Sequence, residues 1–317
     1  MGVCDPSAGR ALLVTTETPV FPSMPLAEWA ATKDTLHRFA QIVGKIRLAQ
    51  SPPQNHWWHV PFHVTGRGIT TRPMGWPISF AIDLDFVDHR LSVNTVSGDR
   101  VSFPLVDLSV AAFHQRLFAA LDSLGLDVSI RPVPFDLADA TPFAEDTVHA
   151  SYEPHWVNRY WRVLSQVAFV LGEFAGRSYA KTSPVHHFWH TFDIAVTRFS
   201  DHVVPQPNAD PVTREAYCRE VISAGFWFGD DTFPAPAFYS YTSPEPAGLD
   251  KEPLRPAEAQ WVESRGAHLA VLAYDDARAT ADPRATVLVF YESAYRAGAI
   301  LAGWDIEGLR CGPRPGS

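Results

Sequence analysis

Apolar residues recur at helical spacing in four stretches of the chain. From residue 26 to 43 they fall at Trp29, Leu36, Phe39, Ala40 and Val43, one helical face following Pro25. A second helix is expected over residues 109–124, with Phe113, Leu117 and Leu121 on one side and Gly125 as its stop. A third starts near Ser151 and Pro154 and carries Trp156, Tyr160, Val163, Val167, Val170 and Phe174. The last is capped by Asp282-Pro283, presents Val287, Phe290, Tyr291, Ala294 and Leu301, and ends at Gly303. Between these stretches the period drops to two. Ile78, Phe80, Ile82, Leu84 and Phe86 alternate with Ser79, Ala81, Asp83 and Asp85, as in a strand with one buried face. Residues 91–96 and 101–105 flank the turn Ser97-Gly98-Asp99, and further strands are expected at 221–228, 238–242 and 269–274.

Each half of the chain therefore reads helix, strands, helix. A shift of 132 residues aligns Trp29 with Trp161, Gly44 with Gly176, Ser51-Pro52 with Ser183-Pro184, Trp57 with Trp189 and Val64-Thr65 with Val196-Thr197. The expected fold class is α+β with mainly antiparallel sheet, built as two degenerate repeats in one pseudo-symmetric unit. The expected boundaries are a flexible tail over 1–24, repeat 1 over 25–134, a linker over 135–150, repeat 2 over 151–305, and a tail over 306–317. Residues 199–219 and 243–266 read as long Pro-rich loops in the second repeat.

Composition narrows the function classes. With 46% hydrophobic and 19% charged residues over 317 positions, the chain suits a globular protein. A net charge of −9 opposes a large phosphate-binding surface, so no nucleic-acid partner is expected. No apolar run reaches membrane-spanning length, and none has the form of a signal peptide. Three scattered cysteines fit neither a disulfide framework nor a cysteine zinc site, which points to a reducing cytoplasm. Arginine outnumbers lysine heavily and Ala and Pro abound, a bias of GC-rich bacterial genomes. Phosphate loop, dinucleotide fingerprint, H-E-x-x-H and nucleophile elbow are all missing, so no nucleotide cofactor is expected.

Candidate chemistry concentrates in two segments that begin Ser-Pro: residues 51–63, containing Asn55-His-Trp-Trp-His-Val-Pro, and residues 183–193, containing His186-His-Phe-Trp-His-Thr-Phe-Asp. Read as strands, they put Asn55, Trp57, His59, His63 and Thr65 on one face with His187, Trp189, Asp193 and Thr197. His56, Trp58, Val60, Phe62 and Val64 fall on a core-like face with His186, Phe188, His190, Phe192, Ile194 and Val196. Imidazoles and a carboxylate suit a transition metal (Zn, Fe or Mn) or metal-free acid/base catalysis. Trp57, Trp58, Trp189 and Tyr239 are candidate walls of a ligand pocket, and Arg198 a candidate anion anchor. Arg67, Glu173, His149, Glu220 and Cys218 are weaker candidates.

These two segments, with Gln41-Ile-Val-Gly-Lys-Ile-Arg, Phe192-Asp-Ile-Ala-Val-Thr-Arg-Phe199, Glu220-Val-Ile-Ser and Phe238-Tyr-Ser-Tyr, resemble a bacterial domain family of unknown function over about residues 25–305. The resemblance implies no reaction. It favours His56, Trp58, His59, His186, Trp189 and Asp193, and leaves His63, His187 and His190 peculiar to this chain. Because His56 and His186 fall on the core-like face, either a bulge flips the register or both are buried and hydrogen-bonded.

The reading is a cytoplasmic bacterial small-molecule enzyme with its site between the two Ser-Pro segments. His59, Asp193, His56 and His186 are the catalytic candidates, and His56, His59 and His186 the metal candidates. The alternative is a metabolite-binding protein with an aromatic pocket. Plain packing of both segments is the structural reading.

Overall fold

The computed structural model describes residues 20–264 and 266–311. The first half opens with helix α1 (Leu26–Gln50), longer at its C-terminal end than the apolar face required. Strands β1 (His63–Val64), β2 (Gly68–Thr70), β3 (Phe80–Asp85), β4 (Arg90–Thr95) and β5 (Arg100–Pro104) follow as an antiparallel meander in chain order. The alternation read from the sequence is real in β3, where Phe80, Ile82 and Leu84 are buried. Helix α2 (Val110–Ser123) closes this half, its first turn capped by the Ser109 hydroxyl, which accepts the Ala112 N–H. Phe113 of α2 stacks on Phe39 of α1 with ring centroids 4.0 Å apart.

The second half begins with α3 (Pro154–Ala175), entered through Pro154 at its first position. Six antiparallel strands follow: β6 (His186–Phe188), β7 (Asp193–Val203), β8 (Arg219–Trp227), β9 (Ala237–Ser243), β10 (Gln260–Ser264) and β11 (Ala267–Ala273), in the order β10-β11-β9-β8-β7-β6. Helix α4 (Pro211–Ala216) interrupts the first expected loop and β10 lies within the second. Helices α5 (Tyr274–Arg278) and α6 (Pro283–Leu301) complete the chain, with the Asp282 side chain capping α6 as its sequence implied. The fold class is α+β with two antiparallel sheets.

One backbone pairing ties the sheets together. Phe62 donates to the His187 carbonyl at 2.9 Å and His187 donates to the Phe62 carbonyl at 3.0 Å, so the chain entering β1 lies antiparallel to β6. The two Ser-Pro segments therefore meet. The offset of 132 residues matches the elements only in part: Trp29 and Trp161 both lie in helices and Val64 and Val196 in strands, but other aligned positions differ. Gly44 lies inside α1, whereas Gly176 is the C-cap of α3, and Trp57 sits in a turn before β1, whereas Trp189 follows β6.

Each sheet buries one face under helices, α3 lying against β7 and α6 against β8, β9 and β11. On β7 that face carries Ile194, Val196 and Arg198, while Asp193, Ala195, Thr197 and Phe199 point the other way. Residues at both ends pack into the body. Phe21 and Met24 are buried, Phe21 against Phe238 and Tyr274, so the tail expected over 1–24 does not extend through these positions. Near the other end, the Leu309 carbonyl accepts the Tyr179 N–H and Cys311 donates to the Arg177 carbonyl. The rest of both expected tails, 1–19 and 312–317, lies outside the described residues.

Gly44 has a specific packing reason. A Cβ there would stand 2.1 Å from Cγ of Trp189, which lies against α1 where the side chain is missing. In an exposed helix Gly→Ala stabilises by about 1 kcal/mol. Here Gly44→Ala should instead destabilise by roughly 1–3 kcal/mol through overpacking, read as a lower urea midpoint with an unchanged slope. A midpoint at or above wild type would refute this packing account.

Candidate functional site at the seam

The first Ser-Pro segment is not a strand before Phe62. It makes a single 3-10 turn, Asn55–Trp57, in which His56 and Trp57 both take left-handed backbone angles (φ 54° and 60°). Non-glycine residues held there cost about 1–3 kcal/mol each and need outside support. That support comes from α4 and its flank: the Glu215 carboxylate accepts the His56 N–H at 2.9 Å, and Trp57 Nε1 donates to the Val212 carbonyl at 3.1 Å. The expected alternation from Asn55 to Val60 is thus broken, and each side chain acquires its own surroundings.

The second segment is also interrupted. Residues 189–192 form a turn with Phe192 left-handed (φ 62°), so β6 and β7 form a hairpin in which His186 faces Ala195, His187 faces Ile194 and Phe188 faces Asp193. His186, Phe188 and Asp193 consequently share the face away from α3, while His187 turns toward the helices. This reverses the expected grouping of Asp193 with His187. His187 is a satisfied core residue. Its Nδ1 pairs with the Asp193 carbonyl at 2.8 Å and its Nε2 with the Tyr160 hydroxyl at 2.6 Å, so Nδ1 carries the proton and Nε2 accepts from the tyrosine.

Three of the expected site residues are packing groups. Arg198 is fully buried on the helix side of β7, its guanidinium 3.7 Å from the Phe174 ring centroid and 4.3 Å from that of Tyr295, and it donates to the Phe174 carbonyl. It cannot anchor a substrate on the opposite face. Trp189 packs on Gly44 rather than beside Trp57. Tyr239 is buried with its ring across Gly225, where a Cβ would come within 2.4 Å of Cζ, and its hydroxyl donates to the Asp193 carboxylate. Burial and the Asp193 charge hold that phenol well above its ordinary range, so it remains a donor.

Asp193 and His59 do not form a pair. Asp193 accepts from Thr191 and Tyr239, whereas His59 accepts the Gln54 N–H at 3.1 Å on Nδ1 and stacks on Trp57 at 5.4 Å. Nor do His56, His59 and His186 converge as metal ligands. Trp58 touches the rings of both His56 (5.8 Å) and His186 (6.4 Å), and the left-handed turn sends His56 toward α4. There Lys181 Nζ is 2.8 Å from His56 Nε2, and Cys218 Sγ is 3.8 Å from His56 Nδ1. Among the weaker candidates, Arg67 is an exposed ion-pair partner of Asp85 and Asp88, and Glu173 pairs with Arg177 and Arg284. Glu220 accepts from Ser200 and Trp304, and His149 pairs with Asp146.

What the seam does bring together is basic. His63 lies beside His186, ring centroids 5.4 Å apart, and both are buried. Burial, with the Arg47 and Arg72 charges, pushes each of them down to about 3. Burial and Arg47 also lower His59. Arg47 itself, from the last turn of α1, is only 5% exposed, and burial together with Arg72 brings it down to about 10, still charged at neutral pH. Among the described residues no carboxylate pairs with Arg47 or Arg72. Arg47 Nε, Ser51 Oγ and His186 Nε2 are all buried without a hydrogen-bond partner among the described residues. Arg47 and Arg72 were missed by sequence reading, although Arg47 ends the string Gln41-Ile-Val-Gly-Lys-Ile-Arg that carried the resemblance.

The pattern of one protein family covers residues 21–311. The chain belongs to DUF5996, a family of unknown function. Comparison with curated proteins and with solved structures gives no match. The DUF5996 match starts at Phe21 and ends at Cys311, so it takes in both packed ends as well as the seam.

The buried histidines make stability depend on pH in a definite direction. His37, His63 and His186 are lowered to about 3 and His187 to about 4, against 6.5 in the unfolded chain. Between those limits the unfolded state binds more protons, so stability is present above pH 6.5 and is lost as pH falls toward 3. Each group contributes up to about 1.4 kcal/mol per pH unit. Denaturant midpoints measured from pH 7.5 to 4.5 should fall steeply, and less steeply in a His63→Gln/His186→Gln double variant. Equal slopes for both proteins would contradict the assignment of these two rings as buried and neutral.

Proposed function

We propose that this chain is a cytoplasmic small-molecule enzyme of bacterial metabolism whose substrate carries a carboxylate or phosphate group bound at the seam. One observation carries the reading: a buried, charged Arg47, with Arg72 and the His63 and His186 rings around it, has no counter-charge among the described residues and leaves three polar atoms unpaired. An uncompensated buried guanidinium costs several kcal/mol, and unpaired buried polar atoms add about 1–3 kcal/mol each. A small anion removes both costs. In this reading Arg47 is the buried anchor, Arg72 the rim contact, Ser51 and His186 the hydrogen-bonding groups, and Trp58 an aromatic wall. A bound anion would offset the Arg47 and Arg72 charges and raise His63 and His186 toward the range in which an imidazole exchanges a proton with a substrate. Nucleic acid and membrane partners are not part of the proposal. No helix among the described residues is long and apolar enough to cross a membrane.

A second reading, a non-catalytic binding protein for the same anions, is favoured by the lack of an orienting carboxylate: among the described residues none is hydrogen-bonded to His63 or His186, and His59 is separated from Asp193.

Thermal unfolding at constant ionic strength tests the anion site. Millimolar phosphate or a small carboxylate should raise the melting temperature by several degrees relative to chloride. Arg47→Met should lose that response while melting, without anion, at or above the wild-type temperature, because it removes an unpaired buried charge. Absence of an anion-specific shift in the wild type, or its survival in Arg47→Met, would sink the proposal. Turnover of a substrate found by screening such anions, lost in His186→Gln while binding is kept, would separate enzyme from binding protein.

A further inference from the structure

Beside Trp58, which contacts His56 as well as His186, three metal-ligating side chains meet. One donor atom each from His56, Glu215 and Cys218 lies within 4.8 Å of the other two. They come from different parts of the fold: the left-handed turn before β1, the end of α4, and the residue that leads into β8. The separation of His56 Nδ1 from Cys218 Sγ is 3.8 Å. Zinc bonds of about 2.3 Å to sulfur and 2.0 Å to nitrogen at a tetrahedral angle put the two ligand atoms about 3.5 Å apart. The observed pair needs only a small contraction to fit that edge. Glu215 is already oriented, since one carboxylate oxygen is held by the His56 backbone N–H at 2.9 Å. The same hydrogen bond supports His56 in its left-handed conformation, so backbone strain and ligand placement are parts of one arrangement.

We propose that His56, Glu215 and Cys218 bind a divalent transition metal of zinc type, with a fourth position open to water or a ligand. Imidazole, carboxylate and thiolate together suit zinc, and three protein ligands are the number a catalytic zinc site uses. On binding, Cys218 gives up its thiol proton to solvent as the sulfur–metal bond forms, and His56 Nδ1 exchanges its 3.2 Å hydrogen bond to the Glu215 backbone carbonyl for the metal, its ring proton passing through solvent to Nε2. That proton faces Lys181, whose ammonium now donates to Nε2 at 2.8 Å. The two donors cannot share this contact, so the exposed Lys181 side chain moves off its perch over Trp58 and Phe199. Lys181 therefore competes with the metal. The proposal is independent of the anion site, which uses none of the three ligands.

Cobalt(II) is the probe, because a cobalt–thiolate bond produces a near-ultraviolet charge-transfer band and a four-coordinate ion gives intense visible bands. Full-length, metal-stripped protein titrated with cobalt(II) should develop both at one equivalent, and zinc(II) should bleach them. Cys218→Ser should abolish the charge-transfer band. His56→Asn, chosen because asparagine tolerates the left-handed conformation, and Glu215→Gln should each weaken binding at least tenfold while circular dichroism shows the fold retained. Lys181→Met should tighten cobalt binding. A wild type without the charge-transfer band, a band that persists in Cys218→Ser and so comes from Cys4 or Cys311, or weaker binding in Lys181→Met would each overturn the assignment.

Discussion

The pairing of Phe62 with His187 is the constraint on which the rest of the molecule depends. Two reciprocal backbone hydrogen bonds set β1 beside β6 and so join a five-stranded and a six-stranded sheet along one line. The residue that makes this pairing is locked by its own side chain, because the His187 ring spans from the Asp193 carbonyl to the Tyr160 hydroxyl of α3. An imidazole that simple alternation put on the pocket-like face beside Asp193 is thus a structural strut. Its neighbours His63 and His186, by contrast, come together only because the strut fixes the register.

The helices and most strands were legible because burial imposes their period directly: the apolar positions expected of α2 and α3 are buried, as are those of α6 except Leu301 at its end and those of the β3 alternation except Ile78 before its start. The two segments rich in histidine were legible in location but not in geometry. Their alternation fails at His56, Trp57 and Phe192, all left-handed without being glycine. A conformation enforced by distant partners, here Glu215 and Val212 for the first turn and the β6–β7 pairing for the second, leaves no local mark in the sequence. For the same reason the groups that matter at the seam came from elsewhere in the chain. Arg47 sits at the end of a helix that looked purely structural, and Cys218 acquires a histidine neighbour separated from it by 162 positions. Arg198, read as an anchor, follows the alternation of β7 faithfully, and that alternation takes it to the wrong side.

Trp58 adjoins two electrostatically different groups of residues at the seam. Toward Arg47 and Arg72 every nearby titratable group is basic, and the field favours neutral imidazoles and bound anions. Toward α4, Glu215 supplies a carboxylate beside the Cys218 sulfur and the His56 ring, with Lys181 as the local counterweight. The Trp58 indole contacts one histidine of each group.

The seam also has a history during synthesis. Phe62 and His187 are separated by 125 positions, so the first sheet has emerged with its helices well before its partner exists, and closure of so long a loop comes late in folding. Until then β1 is an open edge with unpaired backbone groups, the kind of edge that recruits strands from other chains. The short span of β1, two residues, limits that hazard. A brief edge offers a foreign strand little to grip, yet suffices for the intended partner once α3 has brought Tyr160 into place.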